Sequence, residues 1–384
     1  MRYRTDHAPA WLGLDIGGSS IKAGIVRADG VVLGKLRLPL PVDHGPEVAL
    51  ESVCEATECL LRDVGLPVDD LGVIGVAAPG TLDLEAGVIL HPFNLPGWEN
   101  LPIVDFVHTR FGIPTVLLND ANAAGYGEYW AGEYGGGGSL MLWTLGTGIG
   151  SGIVINGDIW EGAQAHAGEC GHMIIQMDGG LTSPHGVHGA LELYAGARGL
   201  VRRCQLALEA GRDSLITKLI EERGELSPLL ITEAAEQNDP LAIELIRESA
   251  RCMGIGTVNI LHVLNPESVL FGGAMTFGGA GSPMGEMFLK AVRETVRSMA
   301  LPIPAMRTRI EFATLGNDAG FIGAAAHAAR CAGLTSPRQK RSYSRLELIR
   351  SRETTVRHAF VMRATGSAAV CATGSARQIA RPCR

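Results

Sequence analysis

A hairpin-rich stretch followed by helical periodicity occurs twice in this chain, and that repetition restricts the possible folds more than any other feature. The first stretch is "WLGLDIGGSSIKAGIVRADGVVLGKLRL", residues 11–38. Apolar and polar residues alternate through it, and Gly17–Gly18 and Asp29–Gly30 punctuate it, so two hairpins are predicted. Residues 46–64 then place Val53, Ala56, Leu60 and Val64 at helical spacing. The second stretch is "SLMLWTLGTGIGSGIVINGDIW", residues 139–160, again a hairpin pair, with a turn at Asn156–Gly157. A mostly helical pattern follows over 191–263. Two such units predict two α/β lobes of related architecture.

Single strands and helices fill the remainder. "LGVIGVAAPG" (71–80) reads as a buried strand ending in a Pro-Gly turn. "PTVLLNDANAAGYGEYWAG" (114–132) reads as a buried strand, a polar break and a helix starting near Ala121, with Asp120 expected at the N-cap. "ESVLFGGAM" (267–275) is a strand entering a glycine turn, and 315–333 opens a final helix. The expected division is a small lobe over 11–118, with the final helix 318–334 packed on it, and a large lobe over 119–317.

Composition narrows the function. The 384 residues are 46% hydrophobic and 19% charged, enough for a packed core. No apolar run reaches the ~18–20 residues that cross a bilayer, and no apolar segment near the start resembles a secretory signal. The eight cysteines form no CxxC pair, which points to reduced thiols and a cytoplasmic setting. Net charge is −7, unevenly spread. Residues 335–384 hold 11 Lys+Arg against 2 Asp+Glu, so residues 1–334 carry −16. An acidic body argues against nucleic acid as the main partner. The basic tail contains "ATGSA" twice, lacks periodicity and is expected to be disordered.

Glycine-rich loops carry the strongest chemical signal. No GxxxxGK[ST] loop occurs. "GTGIGSG" (146–152) contains a GxGxG string, but "IVINGDIW" follows it as strand and turn. A dinucleotide site needs a helix there. The other possibility is two hairpin loops facing each other across a cleft, their glycines letting backbone N–H groups approach phosphate oxygens. Asp15, before Gly17–Gly18, would hold Mg²⁺ through water, and Thr147 would add a hydroxyl. The turn at Gly272–Gly273 would let a base or ribose pack against backbone. Each loop taken alone is also compatible with an ordinary tight turn.

Taken in order, "LDIGGSSIKAG", "APG", "NLPGW", "LNDANAA", "LGTGIGSG", "AGECGH", "FGGAM" and "LGNDAGFIGAA" resemble the motifs of the ROK-family sugar kinases over about residues 11–334. The glucokinase branch is the most similar. The resemblance implies the two-lobed actin/hexokinase-like (ribonuclease H-like) α/β fold with the active site in an interlobe cleft. It also implies ATP and Mg²⁺, a small-molecule sugar and a homodimer. Carried over by position, Asp120 is the catalytic base. Asn94, Asn119, Glu169, His172 and Glu192 join it around the sugar. Asp15, Gly17, Gly18, Gly146, Thr147 and Gly148 form the phosphate loops, and Gly272 and Gly273 the adenosine turn. The expected reaction is ATP-dependent phosphorylation of a hexose at the C6 hydroxyl, glucose first. Mannose, fructose, N-acetylmannosamine and N-acetylglucosamine are alternative substrates, and polyphosphate is an alternative donor. A sugar-sensing regulator is a further alternative, disfavoured because the first phosphate loop begins so near the start of the chain.

In most of that family a CxCGxxGC run after the "GH" histidine holds a structural zinc. Here the corresponding positions are Ser183, His185 and Ala190. Two thiolates are lost and one becomes imidazole. A closed zinc site needs four good N or S donors, and His172, His185 and His188 supply three. A loop without metal is therefore expected. His166 is expected to be an ordinary loop histidine, and Cys170 to pack inward as a small hydrophobe.

Overall fold

The computed structural model describes residues 9–40, 45–92, 95–183 and 186–334. Asn94, His185 and the basic segment 335–384 lie outside the described residues. In the first half, alternating residues and glycine turns produce β1 (Ala10–Ile16), β2 (Ser20–Arg27) and β3 (Val32–Pro39), an antiparallel meander. Helix α1 (Gly45–Asp63) buries Leu50, Val53, Cys54 and Leu61. Next come β4 (Leu71–Ala78), a small hairpin of β5 (Thr81–Asp83) and β6 (Val88–His91), helix α2 (Ile103–Phe111) and β7 (Thr115–Asn119). Strands β4 and β7 are nearly continuous apolar runs and lie parallel to β1, giving the order β3-β2-β1-β4-β7.

The second half repeats this plan. Helix α3 (Asp120–Trp130) leads to β8 (Ser139–Leu145), β9 (Ile149–Ile155) and β10 (Asp158–Ile159). The turn between β9 and β10 uses Asn156 and Gly157, both at positive φ (53° and 85°), as a tight hairpin requires. A helical block follows: α4 (Glu192–Ala195), α5 (Ala197–Glu209), α6 (Leu215–Arg223), α7 (Pro228–Glu236) and α8 (Pro240–Val263). Then come β11 (Ser268–Gly272), α9 (Pro283–Met299), α10 (Pro302–Arg307), β12 (Arg309–Phe312) and α11 (Ala319–Cys331). The second sheet has the order β10-β9-β8-β11-β12, the same arrangement as the first. In each, an antiparallel meander edges three parallel strands.

Each sheet has its own core. Leu12, Leu14, Ile74 and Val76 pack with Trp98 and Val107 in the first, and Trp143, Ile231, Ile246, Phe271 and Phe288 pack in the second. Burying each such side chain stabilises by about 1.5–3 kcal/mol. A third cluster of Trp11, Tyr126, Trp130, Leu142 and Phe321 joins the halves through α3 and α11. Those helices approach closely because they meet on small residues. A Cβ added at Gly323 would overlap the carbonyl oxygen of Ala123, and one at Gly127 would overlap that of Ala319.

Candidate active site

Parallel strands direct their carboxyl ends to one edge of a sheet, where ligands of open α/β sheets collect. Asp15 and Gly17 lie at the end of β1, Asn119 and Asp120 at the end of β7, Gly146 just after β8, and Gly272–Gly273 at the end of β11. A cavity of about 330 Å³ is lined by Asp15, Gly17 and Asp120 together with Gly272 and Gly273. These five residues, expected from sequence to share a site, are brought together. Gly18 and Asn119 do not line the cavity.

Asp120 is not the N-cap of α3. Asn119 is: its Oδ1 accepts from Ala121 N (3.0 Å) and Asn122 N (3.1 Å). An N-cap residue must keep extended backbone angles, and Asn119, the last residue of β7, has φ −69° and ψ 145°. With the cap supplied by its neighbour, Asp120 becomes the first helical residue and lines the cavity. It accepts one hydrogen bond, from Ala121 N at 2.8 Å. Burial pushes the Asp120 carboxyl up to about 6, and the charges of Asp15 and Glu169 push the same way against that hydrogen bond. A carboxyl tuned in this way is suited to take a proton near neutral pH. Asn119 retains its amide N–H₂ as donors, since its oxygen is committed to the cap.

Lys22 adds a cation to this cavity and was missed from sequence. Its Nζ lies 2.8 Å from Asp15 Oδ2, and it also lines the cavity. The signal was present: a hairpin turning after Ile16 with Ile16 opposite Ile21 sets Asp15 opposite Lys22. At Gly146 an added Cβ would meet nothing within 4 Å. That glycine is not needed for packing, and it leaves room beside the loop. Gly273 is the opposite case, with φ 93° and its missing Cβ replaced by the backbone of Leu145.

Glu169, His172, Glu192 and loop 146–148 form an adjoining group outside the cavity wall. Glu169 Oε2 and His172 Nε2 are 3.8 Å apart, both exposed, on the short helical turn Cys170–His172 and its cap. Glu192, at the start of α4, accepts from Ile149 N at 3.3 Å, and its carboxylate occupies the space that a Cβ on Gly148 would need. Gly146 O and Thr147 O accept from Ala197 N and Arg198 N, so the loop is stapled to the α4–α5 junction. Thr147 is exposed. His188 Nδ1 is 2.9 Å from Thr182 Oγ1. Among the described residues, no three His, Cys, Asp or Glu side chains converge as metal ligands. The loop histidine His166 stands 3.4 Å from Thr81 Oγ1, and Cys170 is buried.

The ROK family model matches residues 11–330. The chain belongs to the ROK family. It is 32% identical to a glucokinase of Halalkalibacterium halodurans over 82% of this chain and 93% of the relative. It is 30% identical to a putative xylose repressor of Caldicellulosiruptor sp., over 82% of this chain and 77% of that protein. Among solved structures it is similar to a ROK family glucokinase from Streptomyces griseus in complex with glucose and AMPPNP. That match has a TM-score of 0.69 and 31% identity, covering 84% of this chain and 99% of that one. The fold is the actin/hexokinase-like fold of the ROK hexokinases. No helix among the described residues is long and apolar enough to cross a membrane.

Proposed function

We propose that this ROK protein transfers the γ-phosphoryl group of ATP to the C6 hydroxyl of a hexose, with glucose the preferred acceptor. The observation that carries this is Asp120. Its carboxyl is raised to about 6, and it lines a cavity with the Asp15–Lys22 pair and the glycine turns. Glu169 is near enough to act on its charge. In this reading the sheets belong to lobes 11–118 and 119–317, and the substrates meet in the cleft between them. Similarity to glucokinases, one of them crystallised with glucose and AMPPNP, supports the choice of acceptor and donor.

Asn119, Glu169, His172 and Glu192 would hold the sugar, since ring hydroxyls need several donors and acceptors at once. The room at Gly146 and the Thr147 hydroxyl suit phosphate oxygens, and Gly272–Gly273 would bring backbone against the adenosine. Asp120 takes the proton of the C6 hydroxyl as that oxygen forms its bond to the γ-phosphorus. The bond to the β-phosphate oxygen breaks, and ADP leaves with the electron pair. Lys22 supplies positive charge toward the phosphates. Asp15 offers the oxygen ligand that magnesium favours beside substrate phosphates. Bound there, the ion would neutralise charge developing on the phosphates.

An ADP-release assay with Mg-ATP and glucose, mannose, fructose, N-acetylmannosamine and N-acetylglucosamine tests the proposal. Glucose is expected to give the highest kcat/KM. A different best sugar would replace glucose and leave the phosphotransferase standing. Sugar binding without ADP release from ATP, and without sugar phosphate formed from polyphosphate, would instead favour a sugar-sensing regulator.

A further inference from the structure

Glu128 lies two turns along α3 from Asp120 and is fully buried. Its carboxylate receives only donors, all from one loop. Oε1 accepts from Thr314 N (3.0 Å) and Leu315 N (2.6 Å), and Oε2 accepts from Thr314 N (3.1 Å) and Thr314 Oγ1 (3.2 Å). Among the described residues no cation pairs with it. Gly132 makes room for it, because a Cβ there would press on Oε2. Burying a carboxylate away from any cation is costly unless hydrogen bonds replace its water. An apolar side chain would fill this part of the helix seam without that cost. The acid therefore serves the loop it grips.

That loop joins β12 to α11. Ala313, Gly316 and Asn317 from it wall the cavity, and Glu128 itself reaches the lining. Its far end is tied separately, through Asp318 to Lys35 at 2.6 Å and through Gly320 packed against the Asp15 carboxylate. Ala313 lies against Gly272, the turn read above as the adenosine side, so one helix holds Asp120 at its first residue and the nucleotide-side wall two turns later.

We propose that Glu128 is a positioning residue that fixes the Thr314–Asn317 loop relative to Asp120, so that nucleotide binding depends on it and sugar binding does not. This rests on the phosphotransferase reading above. Glu128→Gln keeps the volume but turns an amide N–H₂ toward donors. Calorimetry with AMP-PNP and, separately, with glucose is the test. Glu128→Gln is expected to raise the AMP-PNP Kd and the ATP KM roughly tenfold, the value of one or two lost hydrogen bonds. The glucose Kd should stay within about twofold. Glu128→Ala should lose more than Gln, and Thr314→Val, which leaves the acid in place, should lose less in the same direction. Equal loss of both ligands, or unchanged nucleotide affinity in folded Glu128→Gln, would overturn the proposal. If Glu128→Ala does not fold, the Gln and Val variants still decide. Wild-type protein that binds AMP-PNP but phosphorylates no sugar would defeat the phosphotransferase reading alone, since the comparison of Kd values would still judge Glu128. Wild-type protein that binds no nucleotide would defeat both.

Discussion

Gly323, in the seam between α3 and α11, and Gly146, beside the cleft, are both glycines with ordinary negative φ. At Gly323 the space of a side chain is filled by the carbonyl of Ala123, whereas at Gly146 it is empty to 4 Å. The seam uses small residues so that two helices can touch. Gly146 instead leaves open space beside its loop, which the proposed function fills with phosphate. The two regions should therefore answer mutation differently, the seam through stability and the cleft through ligands and turnover.

The largest effect expected is in the cleft. Asp120→Asn should lower kcat about 10²- to 10⁴-fold, equivalent to roughly 3–5 kcal/mol, while the protein stays folded in a thermal melt. The same substitution should stabilise the ligand-free protein. Burial raises the Asp120 carboxyl from 3.8 to about 6, so the folded state holds its proton more tightly than the unfolded chain. This group's contribution is most favourable below about pH 4 and is lost as pH rises to about 6. Above pH 6 the Asn variant should gain about 1 kcal/mol, a value reduced because the residue is part-exposed. Wild-type kcat/KM should fall below about pH 6 as the base is protonated. A variant that loses both activity and stability would place Asp120 among the structural residues.

Next in size is Gly323→Ala, expected to cost about 3 kcal/mol in denaturant unfolding because the helices must separate. Turnover per folded molecule should change little. Gly146→Ala should do the reverse, raising the ATP KM about 5- to 10-fold, near 1 kcal/mol, with the melting temperature unchanged. A destabilised Gly146→Ala with normal KM would erase the distinction between the two regions. The smallest effect expected is zinc chelation: activity should be unchanged, because Ser183 and Ala190 stand where thiolates would be needed and His188 is engaged by Thr182. Activity lost on chelation and restored by zinc would show that the histidine loop closes around a metal.

Much of the frame was readable because periodicity is local. The Gly17–Gly18 and Asn156–Gly157 hairpins, the strands at 71–78 and 115–119 and the helix over 319–331 follow from residues within a few positions of each other. The small β5–β6 hairpin and α2 were not anticipated: the strands are only three and four residues long, whereas α2 did carry a signal, Ile103, Val107 and Phe111 at helical spacing. The cap of α3 was misplaced by one position, because Asn and Asp both serve as caps. Only the extended angles of Asn119, inherited from β7, choose between them. Glu128 gave no signal, since a glutamate in a helix reads as a surface residue until α11 and the Thr314 loop enclose it.

The sequence by itself determined the two repeated α/β units, the glycine turns and the chemical types at Asp15, Asn119 and Asp120. These rest on short-range sterics, which neighbouring residues control. Only the tertiary structure decided that Asp120 would become a tuned acid and that Glu128 would grip a loop from the far end of the chain. Those properties arise from burial and from charges that approach only when two sheets close on a shared pair of helices. Electrostatics depends on distance through space, and the order of residues does not state that distance.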